Sequence, residues 1–169
     1  GAIYTDKGDA LEFDVTHRYK VLREVIDESS QKVLIFVPFR HAISILADKL
    51  NNDGISNAII QGSVSAPHRT EIFKAFQNEV EPQVLIIQPA AAAHGVTLTA
   101  ANTVVWWGPT SSLETYLQAN ARVHRAGQKH KCTVIQLQGS LVEKHVYNLL
   151  DNKIDIHAQI LDLYNELLD

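Results

Sequence analysis

Arg122 and Arg125, with Gln118 before them and Gly127 and Gln128 after, are the residues of this chain best suited to chemistry. They stand in the stretch Gln118-Ala-Asn-Ala-Arg122-Val-His-Arg125-Ala-Gly-Gln128. A guanidinium is planar and permanently charged, and it forks its N–H donors onto paired oxygens. Two of them at fixed spacing suit phosphate above other ligands. Read as a helix, the stretch puts Gln118, Arg122 and Arg125 at i, i+4 and i+7 on one face. Its other side then carries Leu113, Leu117, Ala121 and His124, a stripe fit to pack on a sheet. Ser111 with Glu114 reads as a capping box opening that helix, and Gly127 as the left-handed residue that closes it. The net charge of -4 over 169 residues excludes a uniformly basic nucleic-acid binder. Yet from Thr115 to Val142 there is no acid, while Arg122, Arg125, Lys129 and Lys131 all lie there. That local positive field is what an anion site needs. The alternative is a non-catalytic interaction module whose basic helix docks an acidic partner, and for it Gln118 and Gln128 are replaceable.

Those residues need a scaffold, and the chain alternates helical and strand patterns in the manner of a parallel α/β sheet. Thr16 is the candidate cap of a helix through Tyr19, Leu22, Val25 and Ile26 to about Ser29. Lys32 to Val37 is a continuous apolar run, the mark of a strand covered on both faces, and Pro38 closes it. Ala42, Ile45, Leu46, Ala47 and Leu50 form a helical stripe ending near Gly54. Further strands are expected over 55–61, 84–87, 103–107 and 132–137. Between the first two of these, Ser65 and Pro67 open a helix that buries Ile72, Phe73 and Phe76. Ser140 with Glu143 caps another helix, and residues 151–169 read as a packed terminal helix. From Gln83 to Leu113 there is no Asp, Glu, Lys or Arg, so that stretch is expected to be largely buried. Trp106 and Trp107 are neighbours on a strand and point to opposite faces, which favours packing over a shared base-stacking platform. In parallel sheets ligands gather at the carboxyl ends of the strands. Gly62-Ser63, the loop from Gln88 to Thr99 and the loop before the arginine helix are expected to converge there.

The pattern Q-x-x-x-R-x-H-R-x-G-Q resembles motif VI of superfamily 2 helicases, in the form found in Swi/Snf-like DNA-dependent ATPases. Gln128 favours that branch, since DEAD-box RNA helicases usually carry arginine there. Val33 to Arg40 resembles motif IV. Gln61 to Arg69, with the helix to Phe76, resembles the family's Gly-Ser turn and arginine-bearing helix. Gln88 to Asn102 resembles motif V, with Gly95, Leu98 and Asn102 matching. It departs at Ala92 and Ala93, where paired glycines are usual, at Pro89 for threonine and at Thr97 for asparagine. Gly108-Pro-Thr-Ser also replaces the usual Trp-Asn-Pro. The resemblance implies a RecA-like fold, a mostly parallel sheet flanked by helices on both faces, in one domain over residues 1–169. It implies the second motor lobe of a DNA helicase or translocase, in which Arg122 and Arg125 are catalytic fingers on the γ-phosphate of ATP. Gln118 and Gly95 would share that nucleotide site. Gly62, Ser63 and Thr97 would meet the backbone of duplex or single-stranded DNA. ATP with Mg would be held mainly by an N-terminal RecA-like lobe of the same parent chain. The short loops resemble phage or bacterial members, implying the cytoplasm of a bacterial or phage-infected cell.

Two signatures of a complete motor are missing from the sequence: a G-x-x-x-x-G-K-[ST] phosphate loop and an acidic Asp-Glu magnesium box. The isolated chain is therefore expected to be inactive as an ATPase. It opens on Gly1 and contains no Met, so a piece of a longer protein is expected. Cys132 is the only cysteine, which allows no disulfide framework and fits a reducing compartment. His130 and Cys132 lack a second pair at zinc spacing, so no metal is expected. No apolar run reaches membrane-spanning length and no signal peptide opens the chain.

Overall fold

The computed structural model describes residues 2–4, 10–12, 15–93 and 96–168. A short antiparallel pair, β1 (Ala2–Tyr4) and β2 (Ala10–Glu12), precedes an alternating α/β succession. It runs α1 (Thr16–Glu28), β3 (Lys32–Phe36), α2 (Arg40–Asn52), β4 (Asn57–Ile60), α3 (Ala66–Asn78) and β5 (Val84–Ile87). A 3-10 turn over Pro89–Ala93 follows, then β6 (Ala101–Trp106), α4 (Leu113–Asn120), β7 (Thr133–Gln136) and α5 (Leu141–Leu168). Strands β3 to β7 form one all-parallel sheet in the order β4-β5-β3-β6-β7. The central strands are the continuous apolar runs, as burial on both faces requires.

Alternation along these strands divides the core in two. Leu34, Phe36, Leu85, Ile87, Val104 and Trp106 point to one side, where α3, α4 and α5 bring Phe73, Phe76, Tyr116, Tyr147 and Leu150. Val33, Ile35, Val84, Ile86, Val105 and Trp107 point to the other, against Leu22 and Ile26 of α1 and Ile43, Leu46 and Leu50 of α2. The two tryptophans therefore serve opposite cores, and both are buried. Trp106 stacks on Phe36 and tilts against Tyr116, each at a centroid distance of 4.8 Å. Its indole N–H donates to Asn120 Oδ1 at 3.0 Å, which fastens the last residue of α4 to the sheet.

Element ends follow local chemistry, with three departures from the sequence expectations. Val15, not Thr16, occupies the N-cap of α1, and it has no side-chain acceptor to offer. Ser112 rather than Ser111 caps α4, accepting from Thr115 N at 3.2 Å. Glu114, expected to complete that capping box, instead accepts from Gln118 Nε2 at 2.9 Å. The third departure is α5, which runs unbroken through both segments assigned to separate helices, because no Gly or Pro interrupts 141–168. The packing of its final turns lies outside the described side chains. Lys32 closes α3 by donating to the carbonyls of Phe76 (2.8 Å) and Glu79 (2.7 Å). No helix among the described residues is long and apolar enough to cross a membrane.

Arg18 ties the start of α1 to the start of α5. Its guanidinium donates to Trp107 O at 2.6 Å and to Glu143 Oε2 at 2.5 Å, and lies 5.6 Å from the Trp107 ring centroid. Gly139 N also donates to Glu143 Oε2, at 2.7 Å. A Cβ at 139 would fall on the Arg18 guanidinium, so a side chain there would displace Arg18 from these partners. Burial raises the affinity of the Glu143 carboxyl for a proton. The Arg18 and Gly139 hydrogen bonds and the Arg18 charge more than offset that, leaving its pKa below the usual carboxylate range. A depressed folded-state pKa contributes stability that is present above the unfolded value of about 4.3 and lost as pH falls through the folded value. Glu143→Gln is expected to cost about 2 kcal/mol near neutral pH. The gap between variant and parent should narrow as pH falls below the ordinary carboxylate range, as urea titrations at neutral and acid pH would register. An equal gap at both would assign the loss to packing.

Candidate functional site

The arginines do not stand on a helix. α4 ends at Asn120, and residues 121–127 continue as successive turns. The bonds there include i→i−3 pairs, Arg122 N to Ala119 O (3.1 Å) and Val123 N to Asn120 O (3.2 Å), beside one i→i−4 bond from His124 N to Asn120 O (3.2 Å). A distant donor then holds the segment: Leu98 N donates to Arg122 O at 2.9 Å. The buried side of α4 and its extension is Tyr116, Ala119 and Val123. The expected stripe of Leu117, Ala121 and His124 is exposed, one residue out of phase. Gly127 does adopt the left-handed conformation, with φ of 97°, and Gln128 N closes its turn on Arg125 O at 3.0 Å.

Gln128 fixes the segment. Its side-chain amide donates to Ala101 O (2.8 Å), Thr99 O (3.3 Å) and Val123 O (3.4 Å), while its Oε1 accepts from His130 N at 3.0 Å. Replacing it with leucine leaves backbone carbonyls without their donor. Gln128→Leu is expected to lower stability by about 1–3 kcal/mol in denaturant titration. A change below 0.5 kcal/mol would mean water replaces the amide without loss.

Ala101 is the first residue of β6, so this segment lies at the amino edge of the sheet. The three stretches expected at the carboxyl edge do leave strands there, after β4, β5 and β6, but the arginines that follow α4 lie at the opposite edge. A crossover helix in a parallel β-α-β unit runs back against the strands, so its far end reaches the opposite edge. Gly62 and Ser63 do follow the carboxyl end of β4, both exposed, where Gly62 N donates to Gln88 Oε1 at 3.4 Å. Arg40 Nη2 lies 3.3 Å from where a Cβ on Gly62 would sit. That cation was missed because Arg40 and Gly62 meet only through the β3-α2 and β4-α3 corners. Thr97, expected like Gly62 and Ser63 to meet the DNA backbone, accepts from Arg125 Nη1 at 3.2 Å. Gln118 sits within α4, bonded to Glu114. Gly95 lies outside the described residues.

Arg125 is exposed and Arg122 half-buried, with Arg122 Nε enclosed and without a hydrogen-bond partner among the described residues. His124, Arg125, Gln128, His130, Lys131 and Cys132 line an adjoining cavity of about 490 Å³. Burial pushes the Cys132 thiol above its ordinary pKa, which disfavours the thiolate a metal would need. No group of three His, Cys, Asp or Glu fit for a metal is present among the described residues. The set is one of N–H donors and cations, suited to an anion and unsuited to holding Mg.

The helicase conserved C-terminal domain family matches the chain over residues 17–127, about two thirds of its length. The chain belongs to this family. As a helicase C-terminal domain it is of the superfamily 2, Swi/Snf-like kind. It is 33% identical over 132 residues to the chromodomain-helicase-DNA-binding protein 1-like of Mus musculus, covering 78% of this chain and 15% of that protein. It is 28% identical over 147 residues to the ATP-dependent helicase fft2 of Schizosaccharomyces pombe, covering 85% of this chain and 11% of that protein. The chain thus spans only a small part of the curated relatives it matches. The crystal structure of the C-terminal part of the Fun30 ATPase domain superposes with a TM-score of 0.75 at 22% identity, covering 83% of this helicase C-terminal domain and 48% of that chain. That likeness is one of fold.

Proposed function

We propose that this chain is the second motor lobe of an ATP-dependent DNA translocase, and that Arg122 and Arg125 face the γ-phosphate of ATP held by an N-terminal lobe of the same parent. The observation that carries this reading is the pinned segment 121–128. Leu98 and Gln128 fix its backbone, Thr97 orients Arg125, and Arg122 brings a buried, unpartnered Nε. Donors fixed before the reaction stabilise developing charge without reorganising. Thr97 is accordingly a positioning residue here, and Gln118 and Gly95 complete the nucleotide side. Mg enters with ATP and is held mainly by the other lobe, since the described residues of this chain offer it no carboxylate cluster. Gly62 and Ser63, with Arg40 beside them, offer the Ser63 amide and hydroxyl and a cation to DNA phosphates at the opposite edge.

DNA-stimulated ATP turnover of the full-length parent carrying Arg125→Ala tests the reading. Near-normal turnover would sink it and leave the end of α4 as a docking surface for an acidic partner.

A further inference from the structure

The outer edge of the four-residue strand β4 is unpaired among the described residues. Val84 N donates to Ser56 O (3.0 Å) and Gln88 N to Ile60 O (2.8 Å), so Ser56, Ala58 and Ile60 turn their backbones toward β5. Alternate residues of a parallel strand bond to opposite sides. Asn57 and Ile59 therefore present N–H and C=O outward, and β4 is the last strand of the sheet. Natural edges are blunted by charged side chains, proline or a bulge. The sequence Asn57-Ala-Ile-Ile60 carries none of these, and its register with β5 is regular.

A cavity of about 560 Å³ runs along this edge. Ser44, Ala47, Asp48 and Asn51 of α2 wall it on one face of the sheet, and His68 and Ile72 of α3 on the other. The result is a slot: backbone donors and acceptors at its floor, a small apolar side chain on each wall, and helices on both flanks. Its charged groups are mainly acidic. Asp48 stands in the wall, and Glu71 pairs with His68 at 3.3 Å on the rim. A second copy adding its own β4 would bring Asp48 and Glu71 against their equivalents, so like charges oppose that occupant.

We infer that the β4 edge takes up an extended segment of a partner protein as a sixth strand, with apolar residues facing Ala47 and Ile72 and a lysine or arginine facing Asp48 and Glu71. Backbone pairing supplies the affinity in such strand addition, and the alternate side chains supply the selectivity.

The test uses two octapeptides, one repeating valine-valine-lysine-lysine and one repeating valine-valine-glutamate-glutamate, so that each face of the added strand carries both residue types. Amide exchange is followed by NMR on this chain and on the variant Asp48→Lys/Glu71→Lys, whose changes are on the surface. The valine-lysine peptide should slow exchange at Asn57 and Ile59 at least fivefold. The charge-reversed variant should lose at least fivefold in affinity for it and gain for the valine-glutamate peptide. Equal response to the two peptides, or no slowing at Asn57 and Ile59 at millimolar peptide, overturns the inference. So does protection that grows with protein concentration alone, which would mark a second copy. Protection already present in the full-length parent would mark a segment of its own chain, and overturns it too.

Discussion

Arg125→Ala in the full-length parent is expected to lower DNA-stimulated kcat by roughly 10³-fold or more. Arginine fingers in phosphoryl transfer contribute about 10³–10⁵ in rate, because the γ-phosphoryl group carries its charge on outer oxygens that forked N–H donors can reach. The KM for ATP should move little if the other lobe holds the nucleotide, so the loss should fall on kcat. Arg125→Lys keeps the charge and loses the fork, and an intermediate rate is expected. Folding should be nearly untouched, within about 0.5–1 kcal/mol, because the side chain is exposed. A kcat within tenfold of the parent, with melting unchanged, would remove Arg125 from the reaction.

The largest stability effect is expected at Trp106. Its ring is fully buried, stacked against Phe36 and Tyr116, and its N–H satisfies Asn120 Oδ1. Trp106→Ala removes the ring and leaves both a cavity and an unpaired amide oxygen, at a cost of about 3–5 kcal/mol. At about 2–4 °C per kcal/mol for a domain of this size, the melting temperature should fall by roughly 6–20 °C. Trp106→Phe retains most of the ring volume and loses the N–H bond, so about 1–2 kcal/mol is expected. A small loss in Trp106→Ala would mean that neighbouring side chains collapse into the space. Because Asn120 is the last residue of α4, the alanine variant should also loosen the arginine segment. Faster amide exchange at Arg122 and Val123, at a temperature where the variant is still folded, would report that.

The sheet was legible because its central strands are apolar on both faces, and Val84–Ile87 was read to the residue. The edge strands were read longer than they are. Ile55 and Gln61 lie outside β4 and Cys132 outside β7, although Leu137 N still donates to Trp106 O at 2.9 Å. The arginine segment resisted local reading for two reasons. Stripes containing Leu117 and Ala121 or Tyr116 and Ala119 differ by one residue and have similar apolar content. The choice between them depends on whether Ser111 or Ser112 caps the helix, and both are serine. The segment beyond the helix is also held by Leu98, more than twenty residues earlier, which donates to the Arg122 carbonyl, a bond that no window of local periodicity contains. The placement of Arg125 beside Thr97 follows from the same long-range contact. Motif spacing pointed to the arginines as a pair, but which edge of the sheet they occupy depends on the direction of a crossover.

The stretch that leaves β5 at Gln88 and enters β6 at Ala101 joins the sheet's two rims. At one end Gln88 holds the amide of Gly62; at the other Leu98 holds the carbonyl of Arg122. One connection thus holds a turn at each rim, so a change in its length would be felt both at the Gly62 turn and at the arginine segment.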